Sequence, residues 1–321
     1  MRTALLALLL AWLPATALAQ SASTPNPFQQ MGLWAQQVSA AQQPMSDGYE
    51  RCKPAIAAMA SYLGAPAESR GDPAPMLAHF TQCLAEIKTA AIATRTALGE
   101  IGPMPELAEH MLNIDSADLL RRSANAVDGM VDYIEQSDAA MQLIVGGDLP
   151  GAHAKLAEAR LTAASVFDGQ IILLEAMQAS MPMQTHKRMI DIRLAISRSM
   201  RVVAGSDPAA MRGVLATLLR GYGTDARSAA RGMRSAWQTD SAGIRNAAKL
   251  GGDPALTRMI VILDTAMKRI SAGGDEVADI LEAIPSGAMA PAEILKITDR
   301  LTQGELRILA AIREMSAAAT Q

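Results

Sequence analysis

Aromatic residues are scarce in this chain: three Trp, four Tyr and three Phe make up 3% of 321 residues. Sheets draw on aromatic and β-branched side chains, and single-stranded nucleic acid is held by bases stacking on aromatic rings. No run of period-two alternation is present either, so sheet folds and nucleic-acid partners are both disfavoured. Cysteine is nearly absent, with two residues and no Cys-x-x-Cys spacing, which argues against a thioredoxin-type redox centre. Histidine occurs four times, and His79, His110 and His153 stand alone. The chain has no His-Glu-x-x-His, no Gly-x-Ser-x-Gly, no phosphate-cradling glycine loop and no Glu-x-x-His pair of the di-iron bundles. No stretch beyond the N-terminal leader reaches the roughly 18 consecutive apolar residues that span a bilayer. Net charge is only −3, from 29 basic and 32 acidic residues.

Half of the chain is nevertheless apolar, and alanine supplies much of that half. Small apolar residues with few aromatics favour closely approaching helices. The expected fold is all-α, without a sheet: an elongated multi-helix bundle. It is organised around a long antiparallel helical hairpin with arms at about 105–145 and 150–181. In the first arm Leu120, Val127, Ile134 and Met141 recur every seven residues, with Ala124, Val131 and Val145 beside them. In the second, Ala152, Leu156, Ala159, Ala163, Val166, Leu173, Met177 and Met181 form a matching stripe that Gln170 interrupts. Between them Gly146-Gly147-Asp148-Leu149-Pro150-Gly151 combines a left-handed stop, a capping Asp and a first-turn Pro.

Residues 1–19 have the three parts of a secretory signal peptide. Arg2 provides the positive start, Ala4 to Leu13 the apolar core, and Ala17-Leu18-Ala19 a small-x-small cleavage site before Gln20. The expected location is therefore periplasmic or secreted. Residues 20–30 read as a flexible segment, and a helix is predicted over Met31 to Gln42. Two further helices, Tyr49 to Leu63 and Pro73 to Leu98, flank a connector whose midpoint lies near Glu68. Cys52 precedes that midpoint by sixteen residues and Cys83 follows it by fifteen, so an antiparallel pairing sets both thiols at one height. An exported chain with two thiols at matched heights predicts a structural disulfide.

The connector string Glu68-Ser69-Arg70-Gly71-Asp72-Pro73 is similar to the catalytic-glutamate segment of lysozyme-like lytic transglycosylases. That resemblance implies a cell-wall glycan-cleaving reaction with Glu68 as the acid. The Gly-Ala-x-Gly-Leu-Met-Gln type segment expected downstream is replaced here by the amphipathic stretch Ala74 to Glu86. Asp72-Pro73 serves equally as a helix start.

Further helices are predicted over Thr185 to Ala204, Pro208 to Arg220, Asp225 to Leu250, Pro254 to Ala272, Asp275 to Ile284 and Pro291 to Ala318. Charge changes sign at Pro182. From Glu100 to Ser180 there are 13 acidic and 4 basic residues, whereas Met181 to Leu250 holds 4 acidic and 12 basic. This divides the chain into an N-terminal helical part, 31–181, and a C-terminal part, 182–321. Arg227, Arg231, Arg234, Arg245 and Lys249 fall on one face of a helix over 225–250, beside an apolar face that includes Ala226, Ala230, Met233 and Trp237. That face suits an anionic surface or polymer, or the acidic central arm with its Asp128, Asp132 and Glu135. Met177, Met181, Met183, His186 and Met189 gather soft thioethers and an imidazole, the donor set that Cu(I) selects; they serve equally as core fillers. The leading functional expectation is an exported helical binding or scaffold protein, acting on a protein partner or on itself through helix faces. A copper-handling protein is the alternative and the Glu68 glycan enzyme the third.

Overall fold

Leu143 to Gly151 shows how sequence dictates local structure here. Gly147 adopts φ +81°, Asp148 N–H donates to Leu143 O at 2.9 Å, and Gly147 N–H donates to Ile144 O at 3.1 Å. This left-handed closure satisfies the last carbonyls of one helix. The Asp148 carboxylate then accepts from Gly151 N–H at 3.0 Å and opens the next helix.

The computed structural model describes residues 27–319 except 70, 113–114, 182, 207–212, 252–253, 286–288 and 290. The expected leader at 1–19, most of the segment assigned as flexible, the Pro182 boundary and the predicted helix start at Pro208 thus lie outside the described residues. Among the described residues all regular elements are helical and no strand occurs: the fold is an all-α multi-helix bundle. In chain order the helices are α1 (Pro27–Ala41), α2 (Gln43–Gly64), α3 (Ala74–Gly99), α4 (Glu106–Leu112), α5 (Ser116–Val145), α6 (Leu149–Ser180), α7 (Gln184–Gly205), α8 (Val214–Asp240), α9 (Ala242–Gly251), α10 (Pro254–Glu282) and α11 (Pro291–Ala319).

Several boundaries differ from the sequence expectation, each for a physical reason. The first arm does not run unbroken from residue 105. A short α4 precedes α5, and Asp115 caps α5 by accepting from Asp118 N–H at 2.8 Å. Glu109 and Met104 are tied to buried Ser116, which turns the chain: Ser116 N–H donates to Glu109 Oε1 at 3.0 Å and Met104 N–H to Ser116 Oγ at 2.8 Å. Helix α1 already begins at Pro27, inside the stretch expected to be flexible.

The glycines at 221, 223, 273 and 274 do not stop helices. Residues 214–240 form one helix and 254–282 another, and the glycines at 223, 273 and 274 permit close helix contact. A Cβ on Gly223 would lie 3.0 Å from Leu281 Cβ, one on Gly273 3.0 Å from Ile308 Cγ1, and one on Gly274 2.9 Å from Ile192 Cδ1. The break falls instead at Ser241, whose hydroxyl donates to Trp237 O at 2.6 Å.

Helix packing follows two circuits that share two members. In the larger, α2 packs on α3, α3 on α5, α5 on α6, α6 on α7, α7 on α11, and α11 back on α2. In the smaller, α7, α8, α10 and α11 close a ring of four. Four helices at the usual 8–10 Å spacing meet at a centre that side chains fill. Here Met189, Ile192, Ala230, Met233, Ile270, Val277, Ile308 and Ile312 are all buried in one core. Six helices at that spacing put opposite axes about 18 Å apart, more than side chains alone can bridge. The larger ring therefore leaves space at its centre. Cys52 of α2 and Cys83 of α3 stand at disulfide distance within it, their Cα atoms 5.2 Å apart, as the matched heights predict. No helix among the described residues is long and apolar enough to cross a membrane.

Candidate functional site

The six-helix ring lines a cavity of about 290 Å³, to which Ser39 of α1 and Gln42 also contribute. Its walls are overwhelmingly apolar. Phe80 and Leu84 of α3, Met130 and Ile134 of α5, Phe167 of α6 and Ile196 of α7 are among the lining residues. Of the stripe residues, Val127 and Ile134 of α5 and Ala163 and Val166 of α6 face it, since an i, i+3, i+4, i+7 pattern gives each helix one apolar side. Gln170, which breaks the α6 stripe in the sequence, is buried and lines the cavity.

Charged groups on the wall are few: Asp299, Glu305 and Arg313, all from α11. Asp299 is fully engaged, accepting from the Tyr49 phenol at 2.7 Å and from Gln303 Nε2 at 2.7 Å. Arg313 donates to Gln43 Oε1 at 2.6 Å. Burial first, and then the bond donated to the Asp299 carboxylate, pushes the Tyr49 phenol well above its ordinary value; burial likewise raises Tyr133, another wall residue.

Glu305 is held differently. Arg193 of α7 donates to its Oε1 from Nε at 2.7 Å and from Nη2 at 2.6 Å, and the two side chains are 0% and 1% exposed. The pair spans the two helices common to both rings, so it forms part of the partition between the packed four-helix core and the cavity. Its second oxygen, Oε2, is buried and accepts no hydrogen bond among the described residues. The hydroxyl of Ser197, also buried and on the cavity wall, has no partner among them either.

The residues singled out from the sequence fall elsewhere. Met177, Met181 and Met189 are buried in the common core and His186 is 2% exposed; Met183, half-buried, precedes the first residue of α7. No group of three or more His, Cys, Asp or Glu suited to a metal occurs among the described residues.

The basic stretch is not one helix face, because the turn at Ser241 places Arg245 and Lys249 on α9. Three of its cations turn to α10, not to the acidic α5. Arg227 pairs with Asp279 and Glu282, each at 2.7 Å; Arg234 with Asp275 at 2.7 Å; and Arg245 with Asp264, while its guanidinium lies 5.7 Å from the Trp237 ring centre. The Arg227 guanidinium holds the Glu282 carboxyl below its ordinary range. Arg231 and Lys249 are exposed. On α5, Asp128 instead pairs with Arg95 at 3.0 Å and Glu135 with Lys88 at 2.6 Å, both from α3.

Glu68 is exposed on a single 3₁₀ turn, Ala67–Ser69, between α2 and α3. That is the opposite of the apolar enclosure that makes a glycosidase acid.

Sequence reasoning therefore missed the cavity pair Arg193 and Glu305 and the neighbouring Ser197. A signal existed: Arg193 sits inside Ile190–Ile196, and Glu305 occupies the position between Leu301 and Ile308-Leu309 that an apolar stripe would fill. Comparison of the chain with protein-family models, with curated proteins and with solved structures finds no match.

Proposed function

We propose that this chain is an exported binding protein that encloses one small apolar molecule within the α2–α3–α5–α6–α7–α11 ring. The observation that carries this reading is the cavity itself, about 290 Å³ with a predominantly apolar lining. Ligand sites are concave, mostly apolar, and carry a few placed polar groups. An apolar protein cavity of about 150 Å³ stays dry and takes up benzene, so this one has room for about a dozen non-hydrogen atoms. Water would be a poor filler along the apolar walls, which offer it few hydrogen bonds. The outer helix faces carry less weight, because Arg227, Arg234 and Arg245 already spend their charge on α10.

Export rests on two features: the leader-like residues 1–19 and the Cys52–Cys83 pair at disulfide distance, which suits an oxidising compartment such as the periplasm. Cell fractionation with mass analysis of the mature N-terminus tests it. A protein starting at Gln20 outside the cytoplasm agrees, and an uncleaved cytosolic chain contradicts it.

The cavity is tested by calorimetric titration with naphthalene and with 1-decanol. One-to-one binding with a negative heat-capacity change is expected, the signature of buried apolar surface. Ala163 is buried on α6 and lines the cavity. Ala163→Phe is expected to abolish binding while raising stability by about 0.5–2 kcal/mol, as cavity filling does. Absence of binding to the wild type, or unchanged binding to this variant, refutes the cavity as the site.

A further inference from the structure

We infer that the molecule held in this cavity is a neutral amphiphile whose hydroxyl donates to Glu305 Oε2 and accepts from Ser197 Oγ. The inference deepens the proposed function and rests on the cavity being a binding site.

The observations are geometric. Glu305 is fully buried and lines the cavity, yet only Oε1 is used, by two N–H groups of Arg193. Oε2 has no donor among the described residues. A buried carboxylate oxygen without a donor forfeits more than an ordinary unmade hydrogen bond, because it has been taken out of water while charged. Asp299, the other carboxylate on the wall, shows the contrast, with a donor on each oxygen. Ser197 lies one helical turn beyond Arg193 on α7, and its buried hydroxyl is likewise left over at the wall. One acceptor-only oxygen and one hydroxyl on the same cavity wall match a group that both donates and accepts, which is what an alcohol supplies.

Charge selects among head groups. Arg193 already balances Glu305, so the site as a whole is neutral. A carboxylate head would face the Glu305 oxygen with like charge and no proton to share. An ammonium head would bring an unbalanced cation into an apolar enclosure. A hydroxyl meets neither penalty, and its O–H···O⁻ bond belongs to the stronger, charge-assisted class.

The test compares ligands of one chain length on the unmodified protein, by calorimetry at pH 7: 1-decanol, decyl methyl ether and decanoate. The ether accepts but cannot donate. The alcohol is expected to bind about 10- to 100-fold more tightly than the ether, the range for a hydrogen bond to a charged group, and more tightly than decanoate. Ser197→Ala is expected to weaken the alcohol several-fold and leave the ether unchanged. Glu305→Gln alone strands Arg193 and threatens folding, so the second variant is Arg193→Met with Glu305→Leu, which replaces the whole pair by apolar groups. It is expected to fold, to bind all three ligands through the cavity, and to lose the preference for the alcohol.

Equal affinities of alcohol and ether for the wild type overturn the inference while leaving the cavity reading intact; a trapped water would then serve Glu305 and Ser197. Tightest binding by decanoate overturns it as well. Binding by none of the three overturns both the inference and the reading on which it rests.

Discussion

Replacing Arg193 and Glu305 singly and then together tests the partition between the two helix rings directly. Both side chains are withdrawn from solvent, 0% and 1% exposed, and are joined by two contacts of 2.6 and 2.7 Å that converge on one oxygen. Removing one partner leaves a desolvated charge behind, so Arg193→Met and Glu305→Leu are each expected to cost about 3–5 kcal/mol. A typical domain is stable by only about 5–15 kcal/mol, so either single variant is severely weakened. The double variant removes both charges and also the unpartnered Oε2. It is expected to lie near wild type or above it, by up to about 4 kcal/mol. The coupling between the two positions should therefore be several kcal/mol, far beyond the 0.3–0.5 kcal/mol scatter of roughly independent sites. Guanidinium unfolding followed by far-UV circular dichroism measures it, with a melting shift of about 2–4 °C per kcal/mol as a check for a chain of this order of size. If each single variant costs under about 1 kcal/mol, or if the two costs simply add in the double variant, the pair is not the dry, mutually dependent unit described here.

Two further outcomes follow from the ring. Replacing both Cys52 and Cys83 by Ser opens a cross-link over 31 residues between α2 and α3. It should lower stability by about 3–4 kcal/mol on the chain-entropy view; identical denaturation midpoints for the oxidised wild type and this variant would refute a structural disulfide. The second concerns Tyr49, whose phenol is shifted upward by burial and then by the Asp299 bond. A raised folded value means that the protonated phenol is favoured in the native state, so its contribution is complete below the ordinary phenol value of about 10 and is lost as pH rises beyond it. Tyr49→Phe should remove part of the alkaline loss of stability, with Tyr133 retaining the rest. An unchanged slope above pH 10 in the variant would contradict that origin.

Much of the fold was legible because it is set locally. The Asp148 cap, the left-handed Gly147 and the heptad stripe of α5 act within a few residues of chain, and a reader can recognise them from spacing alone. The matched heights of Cys52 and Cys83 needed one further step, the antiparallel pairing of their helices. Glycine defeated the same reasoning at 223, 273 and 274. A missing Cβ signals either a helix end or a close neighbour, and only the positions of Leu281, Ile308 and Ile192 distinguish the two. The basic residues of α8 and α9 pair within the molecule, one of the expectations for them, but with another helix than the acidic α5: Asp264, Asp275, Asp279 and Glu282 lie on a helix that folds back beside them.

The sequence by itself determined that the chain is helical, where most helices begin, and that its two thiols lie at one level, since backbone propensity, capping and periodicity are properties of neighbouring residues. Only the tertiary structure decided that six helices close a ring too wide for side chains to fill. It alone decided that Glu305, 112 positions from Arg193, meets it at the edge of that space. Void volume and charge pairing depend on distances between segments remote in the chain, and no local pattern encodes those distances.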